Sequence, residues 1–385
     1  MTRINFDHAN ATPLAPEAKQ AMGDWLERAG NPSSLHTAGR EAKQAVDTAR
    51  GHVARLIGAQ ADEIYFTSCG TESNNWAIKG LLAANRRKGN HVVVSTIEHP
   101  SVLLTVRRLE KEGWNVSYLP VTREGVVEPD QLKQALTPST ALVSIMHANG
   151  EIGTLEPIAQ LARIAKDAGA LFHTDAVAST GLVPIDVRAF GVDALSLAAN
   201  TFGGPFGAAA LYVREGLRIL PLFEGGGQET GARSGSEALL PIVGMGAAAE
   251  AASRAMSQRA ATTQRLRDRL KAGIIERVAG VRVNGSWDAR LPQHVHVCLD
   301  GIGSESLLLG LDQAGIAVGL GSACNSKAMR PSHVLTAIGL SDDEASGAMV
   351  LTLGPSTTDA DVDAMLERLP AVVERLRHVT AATAR

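Results

Sequence analysis

Cysteine is scarce in this 385-residue chain, which has only three. Cys69, Cys298 and Cys324 are far apart in the sequence, and none belongs to a C-x-x-C pair. This spacing argues against a disulfide framework and against a closed zinc or iron–sulfur site within one chain. So few thiols indicate a reducing compartment, and we expect a cytoplasmic protein.

Strong net charge and long apolar runs are also missing. The formal net charge is −3, so no basic field favours nucleic acid or an anionic membrane as a partner. Residues 1–7 contain no apolar signal region, and the stretch 239–252 is too short and too rich in Gly and Ala to span a bilayer. With 45% hydrophobic and 20% charged residues, the composition is that of a globular protein.

The part of the chain from about residue 60 to 215 alternates between two patterns. Short runs rich in β-branched and aromatic residues are followed by amphipathic helical stretches. This alternation predicts an α/β fold, with a mostly parallel sheet covered by helices on both faces. Ligands bind beyond the carboxyl ends of the strands in such sheets, so the loops after Thr67, Ser95, Met146 and Thr174 should line one site.

The last third of the chain has a different organisation. A Gly-rich loop at 225–235 precedes a long helix, and shorter strands and helices follow it. The length also favours more than one domain. We expect a large α/β domain over residues 15–255, and a small α+β domain formed by 1–14 together with 256–385.

Four polar positions at the predicted strand ends have more than one interpretation when taken singly. The helix start at Gly70 and Thr71 suits a phosphate, but it is also an ordinary helix start. Asp175 is compatible with a helix N-cap, and Asn149 with a turn. His99 is compatible with a structural histidine. Each position alone favours a structural role.

In combination these positions are more specific. The segments 67–74, 98–99, 147–153 and 173–176 resemble the pocket for pyridoxal phosphate (PLP) of cysteine desulfurases. Those enzymes are class-V aminotransferases with PLP fold type I. Segments 7–13, 30–36, 225–235, 321–326 and 331–335 also resemble the family, so the similarity spans almost the whole chain.

The resemblance implies a role for each matching residue. Gly70 and Thr71 would hold the PLP phosphate, His99 would stack on the pyridine ring, and Asn149 would bond the ring hydroxyl. Asp175 would pair with the pyridine nitrogen and keep it protonated, so that the ring accepts electrons. Ser236 resembles a residue that reaches the phosphate in the partner subunit of a homodimer. Cys324 would be the nucleophile that takes sulfur as a persulfide.

The departures from the family pattern lie at the covalent and substrate-binding positions. Thr201 stands where the family has the lysine that forms an imine with PLP. A hydroxyl cannot form an imine, and loss of a positioned general base alone costs a factor of ~10²–10⁴ in rate. Val350 stands where the family has an arginine for the substrate carboxylate, and an isopropyl group cannot replace a guanidinium.

Three further substitutions surround the same pocket. Ala198 and Asn200 replace side chains that the resemblance places on the phosphate, and Ala178 replaces a glutamine near the ring hydroxyl. The ring-holding residues are therefore kept while the covalent, phosphate and carboxylate contacts are changed. This pattern predicts a repurposed relative rather than an ordinary desulfurase.

Three hypotheses follow. The first is a desulfurase-like protein of sulfur or iron–sulfur metabolism, in which Cys324 accepts sulfur or serves as a metal ligand in a cluster shared with a scaffold partner. The second is an enzyme that holds PLP without a covalent bond and acts on another amino substrate. The third is a regulatory pseudoenzyme dimer whose pocket is empty or filled, with Phe206 as the side chain that would fill it.

Overall fold

The computed structural model describes residues 3–10, 12–320 and 332–383. Cys324 and Lys327 lie outside the described residues, as does the rest of segment 321–331. The strands of the described residues are β1 Ile4–Phe6, β2 Ile64–Thr67, β3 His91–Ser95, β4 Asn115–Leu119, β5 Thr140–Ser144, β6 Leu171–Asp175, β7 Ala194–Ala198, β8 Ala209–Val213, β9 Val281–Asn284, β10 His294–Leu299, β11 Ile316–Val318 and β12 Ala348–Thr352.

The helices surround these strands. They are α1 Pro16–Gly23, α2 Thr37–Leu56, α3 Gly70–Ala84, α4 Pro100–Lys111, α5 Pro129–Ala135, α6 Ile158–Asp167, α7 Val187–Phe190, α8 Leu239–Arg277, α9 Ser304–Gln313, α10 His333–Ala337, α11 Asp342–Ala345 and α12 Asp359–Thr383. None of the helices in the described ranges is long and apolar enough to cross a membrane.

Seven strands form the main sheet, in the order β2-β8-β7-β6-β5-β3-β4. Strand β8 is antiparallel to both of its neighbours, and the other pairs in the sheet are parallel. Strands β3, β5 and β6 are buried along their whole length, because helices cover both faces. The α/β fold predicted from the sequence is therefore confirmed. We call this sheet and its helices the large-sheet unit.

A second unit contains the rest of the chain's strands that the structure describes. Strands β9, β10 and β12 form an antiparallel sheet in the order β12-β10-β9, and β1 pairs with β11 in parallel. A separate apolar core joins these strands to α9 and α12. We call it the small-sheet unit. The exact division at residues 14/15 and 255/256 stays a prediction.

Helix α8 belongs to both units. Ile242, Met245 and Ala249 on its first half pack into the core of the large-sheet unit. Leu266 and Ile274 on its second half pack into the core of the small-sheet unit. At 39 residues the helix is about 58 Å long, since each residue adds about 1.5 Å. One continuous helix thus fixes the two units relative to each other.

Close packing of α8 against α2 depends on a glycine. A Cβ placed on Gly246 would lie 2.5 Å from the Cα and Cβ atoms of Ala49, well inside the van der Waals contact distance. Gly51, two residues further along α2, has open space around its Cα. The two glycines therefore have opposite structural roles, although both lie within helices.

Substitution of these glycines should have opposite effects on stability. We expect Gly246→Val to lower the free energy of unfolding by about 1–3 kcal/mol, because the new side chain separates the helices. Gly51→Ala should raise it by up to about 1 kcal/mol through helix propensity. Thermal and urea unfolding would measure both changes. Equal stability of the two variants would show that α2 and α8 do not pack as described.

Candidate active site

A cavity of about 510 Å³ lies at the carboxyl-end edge of the main sheet, where it faces the small-sheet unit. The loops after four parallel strands line it through Glu98, His99, Asn149, Val177 and Thr201. This is the edge where parallel strands of an α/β sheet place their ligands. Three of the four loops predicted to line one site, those after Ser95, Met146 and Thr174, do line this cavity, whereas the loop after Thr67 does not.

A chain of hydrogen bonds joins two of the predicted site residues. The Asn74 Nδ2 atom donates to Asp175 Oδ2 at 2.6 Å and to Ser101 Oγ at 2.9 Å. Ser101 Oγ in turn lies 2.7 Å from His99 Nδ1. The backbone N–H of Val177 donates to the second oxygen of Asp175 at 2.9 Å. Side chains from α3, α4 and β6 are thus held in one network.

The network fixes the tautomer of His99. Its Nδ1 accepts a hydrogen bond from the backbone N–H of Ser101 at 3.1 Å, so in the neutral ring the proton resides on Nε2. His99 is also the N-cap of α4, with Pro100 as the first helical residue. Burial raises the pKa of Asp175 above its usual range, and the nearby His99 acts against that rise.

Asn149 is buried and holds the turn after β5. Its side-chain oxygen accepts from the backbone N–H groups of Glu151 and Ile152, at 2.9 and 3.0 Å. Its amide donates to the Ile97 carbonyl at 3.0 Å, and its other contact is the sulfur of Met146 at 3.5 Å. Because a thioether is a weak acceptor, one amide proton remains available to a ligand.

The structure does not bring all the predicted cofactor residues to the cavity wall. Gly70 and Thr71 begin α3, but they do not line the cavity that His99 lines. A Cβ on Gly70 would lie 2.6 Å from Val177 Cγ2, so the lack of a side chain permits this close approach. Ser236 is exposed and likewise does not line the cavity. Asp175 does not line it either, and it is linked to the wall through its bond from Val177 and through the network to His99.

Thr201 lies on the cavity wall, in the turn that follows β7. Its hydroxyl donates to the Ala198 carbonyl at 2.9 Å, so the side chain closes its own turn. No lysine is present among the described residues that line the cavity. Val350 is buried in β12 and does not reach the cavity. Neither Thr201 nor Val350, at the positions of the expected lysine and arginine, therefore supplies a cation to the cavity.

Phe206 does not fill the pocket. Its side chain is 69% exposed, and it does not belong to the cavity wall. The prediction that it fills the pocket is wrong, because its side chain is exposed to solvent instead of lining the cavity.

Two buried carboxyl groups of the cavity wall have unusual environments. Glu98 accepts from Ser95 Oγ at 2.5 Å and from the Met146 backbone at 3.0 Å, while its second oxygen has no partner in the described structure. Burial raises the pKa of Glu98 to about 8. Burial also raises the pKa of Glu151 to about 7, against a hydrogen bond from Ser332 Oγ. Both acids are largely protonated below neutral pH.

The residues that follow segment 321–331 are anchored at this site. Ser332 bonds to Glu151 at 2.7 Å, and His333 Nε2 bonds to the backbone carbonyl of Glu98 at 3.0 Å. Of the described cysteines, Cys69 is exposed and Cys298 is buried. Burial raises the pKa of Cys298 to about 11, so its thiol is unreactive and it is a core residue.

Ion pairs and a backbone hydrogen bond hold the Gly-rich loop against the start of α3 and against β2. Arg50 forms a two-pronged ion pair with buried Glu229, at 2.7 and 2.8 Å, and Phe66 donates its backbone N–H to the same carboxylate. Arg233 pairs with Glu72 in the first turn of α3 at 2.8 Å. Glu229 and Thr230 both have positive φ angles, of 48° and 56°, which non-glycine residues rarely adopt. The ion pairs stabilise this conformation.

Sequence reasoning missed several residues of the site. Asn74 and Ser101 were not assigned roles, although Ser101 follows the His99-Pro100 helix start that signals a cap. Glu151 and His8 were also missed, and only their burial in the structure identifies them as candidate site residues. Within the described residues, no group of three or more His, Cys, Asp or Glu side chains is placed to hold a metal ion.

The buried acids predict a pH-dependent stability. Since the folded pKa of Glu98 lies above the usual value of 4.5, the folded state keeps a proton that the unfolded chain releases, and stability falls as pH rises from about 4.5 to 8. Glu98→Gln keeps the accepting oxygen but cannot ionise. We expect the variant to gain stability relative to wild type as the pH rises from about 5 to 8, by roughly 1 kcal/mol for each pH unit.

Urea unfolding at several pH values would measure the difference. The control is Glu112→Gln, which removes an exposed carboxyl that pairs with Arg108 at the surface. A stability difference between wild type and Glu98→Gln that does not change with pH would contradict a protonated Glu98.

Comparison with known proteins identifies the family. The model of the aminotransferase class-V family matches residues 4–365. A cysteine desulfurase IscS of Dictyoglomus turgidum is 46% identical over 378 residues, which cover 98% of this chain and 96% of that protein. An IscS of Methanosarcina thermophila is 45% identical over 381 residues, covering 99% and 94% of the two chains.

Solved structures give the same result. A NifS-like protein superposes with a TM-score of 0.91 at 34% identity, over 97% of this chain and all of that one. A NifS-like protein of Rickettsia africae superposes with a TM-score of 0.87 at 30% identity, covering 97% and 99%. The fold is thus PLP fold type I, as the sequence predicts. The chain belongs to the cysteine desulfurase family of class-V aminotransferases, with Thr201 at the position where the resemblance places the lysine.

Proposed function

We propose that this protein works in sulfur or iron–sulfur metabolism, holds PLP without a covalent bond, and uses Cys324 to accept and pass on sulfur. The observation that supports this most is a contrast between two parts of the site. Asp175, behind the cavity wall, is held by hydrogen bonds from Asn74 and Val177, while the position of the imine-forming residue is a threonine whose hydroxyl is bonded to its own turn.

The side chains present fit the ring of PLP. Within the described residues the Asp175 carboxylate accepts hydrogen bonds from Asn74 and from the Val177 N–H, so it keeps acceptor capacity for a protonated pyridine nitrogen. His99 offers a ring face, and Asn149 has one available amide proton. When bound, PLP would supply an electron-withdrawing ring to an amino substrate. Asp175 would keep the ring nitrogen protonated, and the His99 imidazole would stack on the ring.

Thr201 sets the limit on this chemistry. The described wall has no amine to form an imine and no lysine to move the substrate Cα proton. Glu98, whose pKa is raised to about 8, is a protonated acid near neutral pH and does not serve as a base there. We therefore propose that desulfuration of L-cysteine by the ordinary route is very slow, and that sulfur reaches Cys324 from a persulfide donor.

Such a transfer balances without another reactant. The Cys324 thiolate attacks the outer sulfur of a donor persulfide, the donor S–S bond breaks, and the donor leaves as a thiolate. Cys324 lies outside the described residues, and the anchoring of Ser332 and His333 on the cavity wall supports its assignment to this site. A scaffold or acceptor protein would then receive the sulfur, or share Cys324 as a cluster ligand.

We also propose a homodimer. The Gly-rich loop at 225–235 is held rigid by the Arg50–Glu229 and Arg233–Glu72 pairs, and Ser236 after it is exposed. A rigid, exposed loop is suited to completing the site of a second subunit. An obligate interface of this kind buries well over about 2,000 Å².

The second candidate is an enzyme that acts on a different amino substrate through non-covalent PLP. The same Asp175 network favours it, because a protonated ring nitrogen is needed for such chemistry. The regulatory pseudoenzyme with a filled pocket has less support, since Phe206 is exposed and the cavity is open.

Covalent attachment of PLP can be tested by restoring the lysine. With wild-type protein and added PLP, borohydride reduction should leave no pyridoxyl group on the protein, and dialysis should remove the cofactor. Thr201→Lys should become labelled at position 201, because the cavity wall then carries an amine. Thr201→Met, of similar length without an amine, is the control. A reduced pyridoxyl-lysine in the wild-type protein, for example at Lys327, would contradict the proposal.

The role of Cys324 can be tested by reactivity. The thiol should be alkylated at neutral pH before Cys69 and well before Cys298, whose pKa is raised to about 11. After incubation with cysteine persulfide, mass mapping should find the extra sulfur on Cys324, and Cys324→Ala should abolish transfer with little loss of thermal stability. Cys298→Ala is the matched control. Labelling of Cys69 in preference to Cys324 would contradict the assignment.

A further inference from the structure

The cavity continues past the ring-holding residues into the space between the two units. One face of α8 forms part of this wall through Met256, Arg259, Ala260 and Thr263. These positions are three and four residues apart, so they lie on the same side of the helix. The opposite wall includes the segment after β12, which begins at Leu353. We call this space the inter-unit compartment.

Arg259 gives the compartment its charge. It is the only lysine or arginine among the described residues that line the cavity, and it forms no ion pair within that part of the chain. The neighbouring cations of α8 are paired instead, with Arg254 bonded to Glu250 and Arg265 to Asp359. A guanidinium on a mostly apolar wall, without a counter-ion, is suited to an anionic ligand.

Two buried polar side chains of the same wall lack partners. Both ring nitrogens of His8 are without a hydrogen bond in the described structure, although the residue is only 4% exposed. Its ring packs on Gly354, where a Cβ would come 2.1 Å from Nδ1. Gln293 Oε1 is also unpartnered, in a residue that is 4% exposed. Buried polar atoms without partners are costly, so a ligand that bonds to them is stabilised.

The chemistry of these three groups is complementary. A guanidinium binds a carboxylate with two parallel hydrogen bonds, and an amide oxygen accepts from an ammonium group. A neutral imidazole both donates and accepts, and burial lowers the pKa of His8, which keeps it neutral. Together they match a small molecule with one carboxylate and one amino group.

We infer that the inter-unit compartment binds the carboxylate of an amino acid ligand through Arg259, with Gln293 Oε1 accepting from its amino group and His8 as a further polar contact. Arg259 would thus take the place of the arginine expected at Val350, which is buried in β12 and does not reach the cavity. This inference rests on the proposed function in one respect, since it assumes that the persulfide donor is an amino acid, as cysteine persulfide is.

Calorimetric titration of three thiols would test it. L-cysteine has both groups, 3-mercaptopropionate lacks the amino group, and cysteamine lacks the carboxylate. We expect Arg259→Met to weaken the binding of L-cysteine and 3-mercaptopropionate by about 10- to 100-fold, and to leave cysteamine unchanged. Arg259→Lys should lie between, because it keeps the charge but loses the planar fork.

Gln293→Met provides an independent arm of the experiment. This near-isosteric change should weaken the binding of L-cysteine and of cysteamine by several-fold, because both carry an amino group. The binding of 3-mercaptopropionate, which has none, should not change. Arg254→Met, on an exposed position of the same helix, is the matched control for Arg259. All titrations would use the full chain with the Cys324→Ala substitution, so that persulfide chemistry does not contribute.

The outcomes separate this inference from the proposed function. Loss of cysteamine binding in Arg259→Met would indicate a structural effect, and equal affinities in Arg259→Met and Arg254→Met would exclude Arg259; either result overturns the inference. Tighter binding of inorganic phosphate than of 3-mercaptopropionate would overturn the assignment to a carboxylate. None of these results bears on sulfur transfer by Cys324, which the persulfide experiment measures separately.

Discussion

The hydrogen bond from Asn74 to Asp175 holds the site together. At 2.6 Å it joins the first half of α3 to the end of β6, and the same amide group reaches Ser101 on α4. Asp175 is desolvated, so the free energy of burying its carboxylate depends on those donors. The orientation of His99 follows from the same chain of contacts, since Ser101 fixes its Nδ1 as an acceptor. One chain of hydrogen bonds thus sets the positions of both side chains.

The charge of the rest of the cavity wall depends on two buried acids, whose pKa values are raised by burial. Glu98 and Glu151 line a wall on which ionised carboxylates would repel an anionic ligand. Their raised pKa values leave Arg259 as the dominant charge of the described wall below neutral pH. The electrostatic character of the cavity is therefore set by desolvation as much as by the charged residues themselves.

Much of the fold could be predicted from the sequence, because buried parallel strands are short, apolar and separated by helical patterns. The run at 91–95 became β3, and the long helix predicted from residue 239 became α8. Strand β4 was missed, since Asn115 and Ser117 break the apolar pattern at a sheet edge. Helix α2 was missed because its small buried residues, such as Ala42 and Ala49, resemble an exposed polar segment.

The site was only partly predictable. Strand-end residues such as His99 and Asp175 could be singled out as candidates, since parallel topology brings strand ends together. The network that orients them could not, because Asn74 is 27 residues from Ser101 and 101 from Asp175 in the sequence. The unpaired state of Arg259 was equally hidden, because pairing depends on which acids lie nearby in space rather than along the chain.

Helix α8 has a consequence for cooperativity. Its first half is part of one core and its second half part of the other, so loss of packing in either core would expose the apolar face of half the helix. A hinge between the units would require the helix to bend, and the interior of α8 contains a single proline, in its first turn, where it is tolerated. The two units should therefore melt together rather than in sequence, and ligand entry should rely on loops rather than on rigid-body opening.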